Sequence, residues 1–146
     1  MKPFTITSPT NSLAVVIYCL LAFAGFVYTT NLSPNGTVDN VLGNPMSDVW
    51  STLLFISSSA AVYATLSASR RRDPDTSLVI EFWACITLCT LLSWFEYLLL
   101  GYRNEDGSIL TNTLGFSSIF LIGFACRAIQ IFVERRRLSR FRASQP

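Results

Sequence analysis

The stretch "SLVIEFWACITLCTLLSWFEYLLL", residues 77–100, decides the fold. It holds only two charged residues, Glu81 and Glu96, and neither glycine nor proline. It therefore meets the roughly 20 predominantly apolar residues that a helix needs to cross a bilayer. At about 100° per residue, Glu81, Cys85, Cys89, Leu92 and Glu96 share a sector of roughly 80°, so both carboxylates lie on one helix face. An acid inside an apolar span is by default a functional-site hypothesis. Each acid is also only a turn or so from one end of the run, where it can pair with a base or reach water. Structural pairing and ion or proton handling are the two readings.

Three further apolar runs lie on either side, at residues 13–30, 49–67 and 114–133. With 78–100 they predict an all-α membrane protein, a four-transmembrane-helix bundle with short loops. A single integral-membrane domain then covers 1–146 and ends in a basic tail, 134–146. Composition agrees: 51% of the 146 residues are apolar and 14% charged, the balance of a membrane protein. The joints "NLSPNGTVDNVLGNPMSD", "SRRRDPDTS" and "GYRNEDGSILTN" carry the breakers and polar residues. A competing reading makes the first run a cleaved signal peptide, because "CLLAFAGF" contains Ala22-Phe23-Ala24. Against it, the preceding segment carries only Lys2, and the apolar run continues through Phe26, Val27 and Tyr28.

Of the eleven basic residues, eight fall in two places: Arg70, Arg71 and Arg72 in the second joint, and Arg135, Arg136, Arg137, Arg140 and Arg142 in the tail. The first joint has none, and the third has Arg103 beside Glu105 and Asp106. Positively charged loops stay cytoplasmic, so four spans predict both termini inside, with Lys2 on the same side. These eight arginines are also the expected anchors for lipid phosphate, since clustered basic residues bind anionic head groups. Their position at the ends of apolar runs argues against nucleic-acid binding, which needs basic residues spread along an exposed element. Trp50, Trp94, Tyr97 and Tyr102 fall where an outer aromatic belt is expected.

In the second run, "STLLFISSSAAVYATLSAS", Ala60, Ala64 and Ala68 recur every fourth residue beside Ser57 and Ala61. Small residues at this spacing let helix backbones approach closely. The contact is either within the chain or with a second copy or another membrane protein. Cys19, Cys85, Cys89 and Cys126 all lie within apolar runs and read as small core residues. Histidine is absent, and CxxxC is not the CxxC of thiol oxidoreductases, so no metal site, cofactor or catalytic residue is expected. Asn31 in "NLS" and Asn35 in "NGT" are formal glycosylation acceptors.

Arg127 is the one base inside an apolar run. It precedes Glu134, at the inner boundary, by seven residues, or about 10 Å of helix rise. Glu81 lies about 5 Å deep by the same measure. If the third and fourth spans are antiparallel neighbours, the two side chains meet, and pairing offsets much of the cost of burying either charge. The alternative is an arginine that snorkels to the inner phosphates.

In size, four spans, short joints and the ending "CRAIQIFVERRRL", the whole chain resembles the small four-span membrane proteins of actinobacterial bacteriophages, some of them proposed as holins. The resemblance implies a non-enzymatic protein of the bacterial cytoplasmic membrane that packs or oligomerises. Small multidrug transporters share the layout but carry an essential glutamate in their first helix, where "LAVVIYCLLAFAGFVYTT" has no acid. A small transporter or channel subunit using Glu81, Glu96 and Arg127 remains the alternative.

Overall fold

A computed structural model describes residues 12–30, 36–43, 45–68, 74–101 and 111–143. These residues form five helices: α1 (Ser12–Thr29), α2 (Gly36–Leu42), α3 (Met46–Ala68), α4 (Pro74–Gly101) and α5 (Thr111–Ala143). Three of them contain segments long and apolar enough to cross a membrane: Met46–Ser67, Asp75–Gly101 and Ser117–Arg140. α1 is apolar but shorter, over Leu13–Thr29. Arg70–Arg72, Lys2, Asn31, Asn35, Tyr102, Arg103, Glu105 and Asp106 lie outside the described residues.

Local chemistry sets the helix ends. Pro74 opens α4, where its missing N–H costs nothing and its fixed φ already suits a helix, and Asp75 meets the positive end of the helix dipole. Gly43 closes α2 with φ 70°, and its N–H returns to the carbonyl of Asp39 at 2.9 Å. Glycine takes this left-handed conformation without the Cβ clash that other residues meet.

α2 lies within the first joint, where the sequence reading marked only breakers and polar residues. Val38, Val41 and Leu42 pack on the core from one side of this seven-residue helix, and their spacing of three and four supplies the apolar stripe. The basic tail continues the last helix. α5 runs 33 residues, through the arginines to Ala143, because after Gly123 no glycine or proline interrupts it and arginine, leucine and alanine favour helix. At 1.5 Å per residue it is about 50 Å long.

The long helices pack in chain order, α1 on α3, α3 on α4 and α4 on α5. All three seams are antiparallel. Thr29 meets Ser51 and Gly25 meets Phe55 on the first. Trp50 meets Leu91 and Ser67 meets Ser77 on the second. Cys89 meets Leu121, and Arg135 meets Asp75, on the third. The backbones of α1 and α3 approach closely at Gly25, where an added Cβ would lie 2.7 Å from the Phe55 backbone nitrogen and 2.9 Å from its Cα.

The small-residue face of α3 is turned inward. Ser57, Ser58, Ala61, Ala64 and Thr65 are buried and Ala60 is half-buried, so the stripe serves packing within the chain. Its centre runs through Ser57, Ala61 and Ala64 rather than through positions 60, 64 and 68, and the side chain of Ala68 is outside the description. The aromatic-belt reading is corrected at Trp50. This side chain is buried, packs on Phe95 at 5.3 Å, and donates its indole N–H to the Leu91 carbonyl at 3.2 Å. Tyr97 is exposed and Trp94 half-buried.

Candidate functional site: a buried ion pair at the α1–α4–α5 junction

The inward face of α4 carries Glu81, Cys85, Leu88, Leu92, Phe95 and Leu99, all buried, at alternating steps of three, four and seven. Glu81 is 2% exposed. Cys89 and Glu96 sit at the margin of this face, both half-buried.

Arg127 reaches Glu81 from α5 with a two-pronged grip. Its Nε donates to Oε1 at 2.8 Å and its Nη2 to Oε2 at 3.2 Å. The planar fork of guanidinium matches a carboxylate, and charge-assisted bonds of this kind are roughly twice as strong as neutral ones. Both side chains are withdrawn from solvent, with side-chain exposures of 12% and 3%. Neither charge is left alone in the interior, where an unpaired ion costs several kcal/mol.

α1 supplies a third member that sequence reading did not single out. Tyr18, 1% exposed, donates its hydroxyl to Glu81 Oε1 at 3.4 Å and lies 3.1 Å from Cys85 Sγ. With the phenol proton directed at the carboxylate, the thiol can donate to the phenol oxygen, giving the line Cys85, Tyr18, Glu81, Arg127. The Tyr18 ring stacks on Phe124 at 5.8 Å with 10° between planes. No described Cα pair between α1 and α5 comes within 8 Å, so these two rings span a gap that the backbones leave open. The available signal was a phenol within an apolar run, whose hydroxyl needs a partner.

The remaining sequence candidates are dispersed. Glu96 lies fifteen residues along α4 from Glu81, and its Oε1 is buried with no hydrogen-bond partner. The Ser58 hydroxyl is likewise buried and unpartnered. All four thiols are free: Cys85 is buried, Cys89 half-buried, Cys19 and Cys126 exposed. Among the described residues no group of histidine, cysteine, aspartate or glutamate is arranged to hold a metal ion. Of the basic tail, Arg135 pairs with Asp75 at 3.2 Å, Arg136 lies over the Phe132 ring at 4.6 Å, and Arg137 and Arg140 are exposed. The side chain of Arg142 is outside the description. No family model, curated protein or solved structure matches the chain.

Proposed function

We propose that this is a four-span, N-in/C-in protein of a bacterial cytoplasmic membrane, non-enzymatic and holin-like or accessory, which acts by packing or oligomerising in the bilayer. The observation that carries this reading is the grip on Glu81. Both of its oxygens are held by one guanidinium, and a phenol covers Oε1 as well. Three of the roughly four acceptor sites of the carboxylate are thus taken and its charge is answered by the guanidinium, so it works as a clamp between helices. The outward faces of α1 and α5 support the bilayer setting, with Leu13, Leu20, Phe23, Ile119, Ile122 and Ile129 all more than 60% exposed. The α1 helix, 18 residues, is about 27 Å long, close to the roughly 30 Å of a hydrocarbon core. Eight of the eleven basic residues support the orientation.

Timed overexpression with a membrane-potential dye tests the function, and reporter fusions after Pro146 test the topology. A pore-forming protein depolarises cells abruptly, and Glu96→Gln leaves the timing unchanged. An exported reporter active after Pro146, with a cytosolic one silent, reverses the orientation. A second reading, a small transporter or channel subunit, draws on the unpartnered oxygen of Glu96. Loss of ion or solute flux in Glu96→Gln, at normal protein level, selects that reading.

A further inference from the structure

Where α5 runs past the start of α4, the helices enclose an open groove of about 240 Å³ lined by Asp75, Phe132, Arg135, Arg136, Leu138 and Ser139. Phe132 and Leu138 are its apolar lining, and Arg135 and Arg136 bring two guanidiniums to it. Its one acid, Asp75, is already engaged by Arg135, Nε to Oδ1 at 3.2 Å. The Arg136 guanidinium rests on the Phe132 ring at 4.6 Å, which orients the fork through cation–π attraction without using its N–H donors. No described carboxylate pairs with it. The Ser139 hydroxyl is turned back onto the Arg136 carbonyl at 2.9 Å, so the donors facing the groove belong to the arginines. Two cations against one acid, beside the positive end of the 28-residue helix α4, leave the groove electropositive.

We propose that this groove binds the phosphate of an anionic phospholipid headgroup. The inference deepens the membrane reading above by assigning the lipid contact to one place on the chain. Phe132 and Val133 close the apolar part of α5 and the arginines begin at Arg135, so the groove straddles the level at which a headgroup phosphate lies. Guanidinium matches phosphate oxygens geometrically, and the apolar lining of Phe132 and Leu138 suits the glycerol end of a lipid better than a freely hydrated ion.

The test is lipid retention by the full chain in detergent micelles, read by native mass spectrometry with dioleoyl phosphatidylglycerol against dioleoyl phosphatidylcholine. Phosphatidylglycerol is retained preferentially. Arg136→Gln lowers its affinity about 10- to 100-fold, matching the roughly 1.5–3 kcal/mol of hydrogen bonds to a charged group. Arg137→Gln, which removes the same charge from the exposed side, costs no more than about fivefold, the roughly 1 kcal/mol of a diffuse basic patch. Equal losses in the two variants overturn the proposal, and so does displacement of the lipid by an equal concentration of inorganic phosphate, which assigns the groove to free anions. Ser139→Glu, at an exposed position, places an acid at the rim without touching the core. It abolishes the preference, and a preference left intact also overturns the site. Micelles have no sidedness, so a reversed orientation in the fusion assay and a failed retention assay are separate results.

Discussion

The two ends of α4 carry the same side chain in opposite circumstances. Glu81 is gripped through both oxygens by Arg127 and covered by Tyr18, whereas Glu96 has a buried Oε1 with no partner. The cause lies on the facing helix. α5 offers a base opposite Glu81, but from Thr111 to Cys126 it carries no charged residue. The acid is thus a structural element where the neighbouring helix can answer it and a burden where it cannot. A buried ion pair is dangerous to break and often replaceable as a unit, while an unsatisfied buried acceptor costs about 1–3 kcal/mol as it stands.

Four measurements of stability in detergent can break or sharpen this contrast. The largest effect is expected for Arg127→Leu, which strands Glu81 and should cost about 3–5 kcal/mol. Adding Glu81→Leu should recover part of that loss, with a coupling of about 0.5–3 kcal/mol in the double-mutant cycle. Strictly additive losses would mean that the pair contributes nothing as a pair. Gly25→Leu comes next. Its side chain would have to enter the backbone of α3 at Phe55, and overpacking of this kind costs about 1–3 kcal/mol; an unchanged unfolding midpoint would show that α1 does not approach α3 so closely. At the other end of α4, Glu96→Leu should raise stability by about 1 kcal/mol by removing an acceptor that has no donor. A loss there instead would reveal that Glu96 is answered, and the contrast with Glu81 would disappear. The smallest effect belongs to Asp75→Asn. The Asp75–Arg135 pair is more than a third exposed on both sides, so its loss should cost at most about 1 kcal/mol and fade further in high salt.

Much of this arrangement was legible in the sequence, because the deciding patterns are long. Apolar runs placed the four long helices to within a few residues at most boundaries, and counting helix rise inward from Glu134 put Arg127 and Glu81 at similar depth. What escaped has identifiable causes. Tyr18 finds its partners 63 and 67 residues away, and no local pattern announces such a meeting. Gly25 sits among Ala22, Ala24 and Phe26, where several small residues compete and none declares which one faces the neighbouring backbone. Trp50 illustrates a true ambiguity, since an indole near a span end serves equally as an interfacial anchor or as a core residue whose N–H has found a carbonyl. The α3 stripe was read with its members but not its centre, because Ser57, Ala60, Ala61 and Ala64 are all small and burial alone ranks them. α2 is hidden by its setting, seven residues between a proline-containing stretch and a glycine.

The Glu81–Arg127 clamp also has a place in time. Its members are 46 residues apart in the chain, so a ribosome adding about 5–20 residues per second delivers the acid roughly 2–9 seconds before the base. During that interval the first three long helices must be held together without it. The Gly25–Phe55 crossing and the Trp50–Leu91 bond lie wholly within the part already made and can serve as the temporary fastening. The last helix to be synthesised then acts as the latch, and a nascent chain halted before Arg127 keeps Glu81 waiting without its guanidinium.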